Sequence, residues 1–348
     1  MSAVLSNLSL PLIQAPMAGV QGVELALAVC QTGALGSLPA AMLSAEQLAH
    51  ALQRLNAESG GAPYNVNFFA HTTPSVSAEQ YADWLAVLQP YFNEWGINAA
   101  DIPQQGGRQP FDEAALQWVE HYRPAVVSFH FGLPEAKLLA AVKASGAEVW
   151  SSATTVAEAQ WLAAHGADVV IAQGWEAGGH RGWFLTHDCN SQSGTLALLP
   201  NIVRAVNIPV VAAGGISDAA TVRAAMQLGA CAVQVGSAFL LADEAETKPA
   251  HRAALAHVLP EDTVPTNIFS GGCARGIRNR FIRELGGIHA AALPFPLAGA
   301  ASAALRAAAE QQGNHDFSSF WAGQNAALAR SGSAAEIVAR LAEGFTTP

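Results

Sequence analysis

The chain predicts an α/β fold: a (β/α)8 TIM barrel with a smaller, mostly helical C-terminal subdomain. Three observations carry this. Short apolar runs alternate with amphipathic helical patterns from residue 10 to residue 237, and eight such runs can be marked. The composition is 51% hydrophobic and only 13% charged, which suits parallel strands buried on both faces. Residues with chemical handles recur at or just after the carboxyl ends of the runs, the face where barrels of this kind place their chemistry. A doubly wound sheet is the rival, but it usually stops at about five to seven strands.

The first run is Leu10 to Ala15, with Pro16-Met17-Ala18-Gly19 as its loop and a helix from about Val23 to Gln31. Ala34 to Ser37 is the second. Ser44-Ala45-Glu46-Gln47 has capping-box spacing and opens a helix. The third run, Tyr64 to Phe69, alternates polar and apolar residues and places Asn67 near its end. A helix over 78–95 follows. Residues 98–112 hold two prolines, two glycines and three glutamines and read as an irregular excursion. A helix precedes the fourth run, Ala125 to Phe129, which ends in His130-Phe131-Gly132. The fifth is Ala147 to Ser152, and Thr155-Val156-Ala157-Glu158 reads as a second capping box. The sixth, Ala167 to Ala172, leads into Gln173-Gly174-Trp175-Glu176-Ala177-Gly178-Gly179-His180-Arg181-Gly182. The seventh, Ile208 to Ala213, is followed by Gly214-Gly215, with Ser217 as the expected cap of the next helix. The eighth, Cys231 to Val235, is followed by Gly236-Ser237.

After residue 243 the pattern changes. A helix over 248–258, a Gly- and Arg-rich segment from Thr266 to Phe281, and helices at 299–312, 317–330 and 334–343 are expected. This divides the chain into a barrel, 1–243, and a mostly helical lid over its open face, 244–348.

The net charge of −10 and a pI near 5.5 argue against a nucleic-acid binder and against a membrane-attracting basic patch. An anionic ligand would need locally placed donors. Cys30, Cys189, Cys231 and Cys273 are far apart with no CxxC, so neither a disulfide scaffold nor a metal site is expected. No Lys or Arg precedes Arg54, and the early uncharged stretch is broken by Gly33, Gly36 and Pro39. A secretory leader or membrane span is therefore not expected, and a cytoplasmic location is.

Gly214, Gly215, Gly236 and Ser237 follow the seventh and eighth runs, where barrels bind a phosphate through backbone N–H groups; plain tight turns are the alternative. No GxGxxG follows the first run and there is no Walker A, so a Rossmann or P-loop site is disfavoured. Asn67, Gln173 and Gln234 end three runs, and amides there can serve a ring with both donors and acceptors, such as a flavin. His130 and His180 are the candidate acid–base groups, with His71 weaker. Glu176 is expected to be solvated. No Ser-His-Asp order or HExxH occurs.

The sequence resembles the nitronate monooxygenases of class I type, formerly called 2-nitropropane dioxygenases, along almost its whole length. The matching pieces are Gln14-Ala15-Pro16-Met17, Asn65 to Phe69, Val127 to Gly132, Ala172 to Gly182, Val210 to Ile216, Val233 to Phe239 and Ser270 to Gly276. Gly313-Asn314-His315-Asp316-Phe317 and Trp321-Ala322-Gly323-Gln324 complete them. The resemblance implies an FMN enzyme that oxidises nitronates or nitroalkanes with O2. It implies FMN contacts at Ala15, Pro16, Met17, Asn67, Gln173, Gly178, Gly215 and Gln234-Val235-Gly236-Ser237. It makes His180 the catalytic histidine and His130 a second histidine beside the substrate. The departure lies in 293–301, where the family often has tyrosines and a lysine and this chain has Leu293-Pro294-Phe295-Pro296-Leu297. An FMN-dependent NADH oxidoreductase and a non-catalytic flavin-binding barrel are the alternatives. A monomer or homodimer is expected.

Overall fold

A computed structural model describes residues 2–104 and 107–346; Gln105 and Gly106, within the expected excursion at 98–112, lie outside the described residues. The strands are β1 (Leu12–Gln14), β2 (Gly36–Pro39), β3 (Tyr64–Phe69), β4 (Val126–His130), β5 (Glu148–Ala153), β6 (Val169–Gln173), β7 (Gly179–His180), β8 (Val210–Ala213), β9 (Ala232–Val235), β10 (Thr263–Thr266) and β11 (Ala274–Ile277). Eight of them form one parallel sheet in the order β1-β9-β8-β6-β5-β4-β3-β2. The Leu35 N–H donates to the Leu12 carbonyl and the Gln14 N–H to the Leu35 carbonyl, both at 2.9 Å, which closes β1 onto β2. The expected (β/α)8 barrel is the observed one.

Alternation along the strands sends one set of side chains inward and the other outward. Ile13, Val126, Trp150, Val169, Ile171 and Val211 fill the interior. The short helix Ala3–Asn7, which the sequence pattern did not reveal, plugs the amino end with Val4, Leu5 and Leu8. Glu148 anchors it, accepting from the Val4 N–H at 2.9 Å and the Ser2 hydroxyl at 2.5 Å. The outward set meets the helices in the outer cores.

The last helix, Ala334–Ala342, packs Ile337, Val338 and Leu341 into the core that holds Leu25 and Val29 of helix Val23–Cys30 and Val222 of helix Ala219–Gln227. It fills the wall position that follows β9. Another core joins helix Ala78–Trp95, through Trp84, Leu88 and Phe92, to Phe281, Leu305 and Phe317.

Some local expectations are corrected. Helix Ala219–Gln227 is capped by Asp218, not Ser217, because the Asp218 carboxylate reaches the Thr221 N–H at 2.8 Å. Thr155 caps its helix, but no box forms: the buried Glu158 carboxylate turns away to the Thr154, Phe184 and Leu185 N–H groups. The expected helix at 317–330 is a short 3-10 turn, Gln324–Leu328, after extended chain. The Gly- and Arg-rich segment contains β11, the centre of an antiparallel sheet ordered β10-β11-β7. Among the described residues, no helix is long and apolar enough to cross a membrane.

Candidate active site

A cavity opens at the carboxyl ends of the barrel strands, with a volume of about 1380 Å³ including its mouth. It is lined by Ala15, Pro16, Met17, Asn67, His130, Gln173, Gly178, His180, Gly214, Gly215, Gln234, Gly236 and Ser237. Of the positions named from the sequence, Val235 and the weaker candidate His71 are not part of this lining. The Val235 side chain points outward into the barrel–helix core, because it alternates with Gln234, and its carbonyl accepts from the Ala15 N–H at 2.8 Å.

The loop after β1 is pinned from below. Gln21 accepts from the Met17 N–H at 2.8 Å, and its own amide is held by Gln14 and the Ser37 carbonyl. Asn67 donates to Ser128 Oγ at 2.9 Å. Gln173 spans the loop that follows it, donating to the His180 carbonyl at 2.9 Å and accepting from the Gly182 N–H at 2.8 Å. Gln234 differs: its Oε1 is buried with no hydrogen-bond partner. Such an acceptor is costly unless a ligand donor satisfies it.

Gly214 and Gly215 both have positive φ, 104° and 71°. They form a left-handed turn between β8 and the helix capped by Asp218 that a side chain would strain. Gly178 is a glycine for another reason. A Cβ there would lie 2.5 Å from the Gly323 nitrogen, so the C-terminal segment packs directly on this backbone. The Gly323 N–H also donates to Ser237 Oγ at 2.8 Å, tying the end of β9 to the same segment.

His180 sits on a strand, not on a free turn. β7 pairs antiparallel with β11, Ala274 opposite His180, so the C-terminal part of the chain holds this histidine in place. Its Nε2 lies 2.7 Å from Ser270 Oγ. Ser270 also accepts from the Gly272 N–H at 3.3 Å and donates to the Gly272 carbonyl at 3.4 Å. The tautomer of the ring sets which of the two groups donates in the His180–Ser270 bond. Phe69, Phe131, Phe295 and Trp321 surround the ring, with centroids 5.3 to 6.4 Å away. Burial, then the positive charge of Arg108, holds His180 neutral well below the ordinary histidine value.

His130 has no free nitrogen. Nε2 must donate to the His180 carbonyl at 3.0 Å, since a carbonyl only accepts, so Nδ1 accepts from Ser152 Oγ at 3.0 Å. Burial lowers its pKa to about 4. Its position is as expected, but its bonds make it a support for β7. A Cβ at Gly182 would meet the His130 ring at 2.7 Å, so the glycine admits this contact.

Glu176 is not solvated: it accepts from the Thr195 N–H and Oγ1 at 2.8 and 2.9 Å. Arg181 is buried, donating to the Gly174 and Gln173 carbonyls at 2.6 and 2.7 Å and to Gln192, with its guanidinium 5.3 Å from the Trp175 ring centre. Both shape the loop; Glu176 also lines the cavity, whereas Arg181 does not. Sequence reasoning missed Ser270, Ser152 and Arg108. Ser270 stood within a quoted motif, but only the β7–β11 pairing reveals its partner.

A closed (β/α)8 barrel with a glycine-turned cleft and a half-buried, oriented histidine at its carboxyl face defines an enzyme of the barrel class. The chain belongs to the nitronate monooxygenase family, whose model, described as "Nitronate monooxygenase", matches residues 2–344. A nitronate monooxygenase of Pseudomonas aeruginosa is 42% identical over 336 residues, 96% of this chain and 95% of that relative. One from Paraburkholderia phytofirmans is 40% identical over 95% of this chain and 91% of its own. Among solved structures, nitroalkane oxidase from Streptomyces ansochromogenes aligns with a TM-score of 0.89 at 36% identity, covering 99% of each chain. FabK from Thermotoga maritima aligns with a TM-score of 0.73 at 25% identity, covering 99% of this chain and 96% of its own. The protein is accordingly an oxidoreductase of this family.

Proposed function

We propose that the protein is an FMN-dependent nitronate monooxygenase. It oxidises alkyl nitronates, such as propionate 3-nitronate, with O2 to a carbonyl compound and nitrite. The observation that carries this is the two-ended cavity: an unsatisfied amide acceptor and glycine turns at one end, a neutral histidine in an aromatic wall at the other. Residues 1–243 would bind FMN, and 244–348 would cover the open face except for the helix Ala334–Ala342, which completes the barrel wall. The reading includes a cytoplasmic monomer or homodimer that takes small molecules and no nucleic acid.

The residues present fit the cofactor. The orphaned Gln234 Oε1 matches a ring N–H donor, and Asn67, Gln173 and the Ala15–Met17 backbone offer further groups to a heteroaromatic edge. Gly178, Gly214, Gly215, Gly236 and Ser237 would hold the phosphate end. FMN, when bound, supplies one-electron acceptance from an electron-rich anion, with O2 as the final oxidant. The aromatic wall excludes water around the nitronate and keeps it against the ring. His180 stands at the substrate end as a neutral imidazole and takes a carbon-bound proton where the neutral nitroalkane is used. A base with so low a pKa is weak, so the site suits preformed nitronates best.

An FMN-dependent NADH oxidoreductase is the second reading, favoured by the fold likeness to FabK. The first test is a spectrum. The purified protein should be yellow and release FMN on denaturation, identified by mass. A colourless protein that takes up no added FMN would sink both flavin readings.

A further inference from the structure

The catalytic cavity has a side arm. A second cavity adjoins it and shares Arg108 and Trp321 with it; Ser270, Ser302, Arg306 and Ser319 complete the wall. Ser270 is the residue that holds His180, so the arm begins where the histidine ring ends. Arg108 comes from the irregular stretch before β4, and Arg306 from helix Gly299–Gln311.

Both arginines are half-buried, and neither has a carboxylate partner among the described residues. The Arg108 guanidinium lies 5.6 Å from the Phe295 ring centre. Arg306 donates to Ser319 Oγ at 3.3 Å. Burial and the neighbouring Arg306 charge push Arg108 down to about 10, so it still carries its charge at neutral pH. Two unpaired cations in one pocket are unusual in a chain of net charge −10. The long-range field repels anions, so this local charge must be recognised at contact distance.

We propose that the side arm is a carboxylate subsite, which binds the acid group of a small nitronate while its reacting end lies against His180. A guanidinium matches a carboxylate in geometry as well as charge, and two of them can serve its two oxygens. This rests on the nitronate reading above and adds to it the residues that choose the substrate. Phe295 links the two groups, with the Arg108 guanidinium over its ring and His180 packed against it.

The test is calorimetric titration of the purified protein, as isolated, with 3-nitropropionate and with 1-nitropropane. The wild type should bind the acid about 10- to 100-fold more tightly. Arg108→Met and Arg306→Met should each cut that preference about tenfold, and Arg108→Lys should restore part of it. Kinetics with the corresponding nitronates should show the same loss in KM rather than kcat. No preference in the wild type, or equal losses for both compounds in the variants, would overturn the subsite. Charge-selective binding by a protein that oxidises no nitronate upholds the subsite and defeats the functional reading. Nitronate oxidation without charge preference does the reverse.

Discussion

His180 is neutral because it is buried among aromatic rings and faces Arg108, and that decides which substrate it suits. A neutral nitroalkane needs a base, whereas a nitronate arrives already deprotonated. His180→Asn should keep bound flavin and lose roughly 100-fold or more of turnover with neutral nitroalkanes, but less with nitronates. Equal turnover by both proteins with nitroethane would exclude His180 as the base. The buried histidines also set an acid limit on stability. His71, His130 and His251 are each held down at about 4 by burial. In the unfolded chain they take up protons near 6.5, so between those values the unfolded state binds more protons. Their stabilising effect is complete above about 6.5 and is lost as pH falls toward 4. Thermal midpoints measured from pH 7.5 down to 5 should therefore decline steadily, and a flat profile would contradict the burial argument.

At the scale of elements, the site depends on contacts between parts distant in sequence. The strand at His180 is only two residues long, and it exists because β11 pairs with it. The Ala322–Gly323 backbone packs on Gly178 so closely that Gly178→Ala must push it away. That variant should lose several-fold or more in flavin affinity with its barrel still folded, as read by flavin titration and circular dichroism. Leu341→Ala, in the helix that closes the barrel wall, should cost about 2 to 5 kcal/mol in urea unfolding. The barrel strands were legible because they are buried on both faces and read as unbroken apolar runs. Their carboxyl ends, and hence most of the cavity lining, followed from that phase. The Val235 side chain faces away from the cavity because alternate strand residues point opposite ways. The β7–β11 pair was not legible, since two residues carry no periodicity. Glu176 was misjudged and Arg181 was given no role because their partners, Thr195 and the Gln173 and Gly174 carbonyls, are set by the fold of the loop. Arg108 sits in a stretch with no periodic pattern, and only the fold shows it beside Arg306.

The whole molecule is a barrel whose chain end returns to complete its wall and whose intervening segment builds half of the active site. The C-terminal part thus supplies Trp321, Gly323 and Asn325 to a cavity whose other half comes from the strand ends, and Ser270 and Phe295 to the ring of His180. Under the proposed function, the cofactor would lie deep in the barrel and the substrate beneath the C-terminal segment. The most direct measurement of the central claim is anaerobic rapid mixing of the purified flavoprotein with propionate 3-nitronate and, separately, with NADH. The account predicts rapid loss of the oxidised flavin absorbance with the nitronate, and nitrite release when O2 is readmitted. Rapid bleaching by NADH with no response to the nitronate would contradict it.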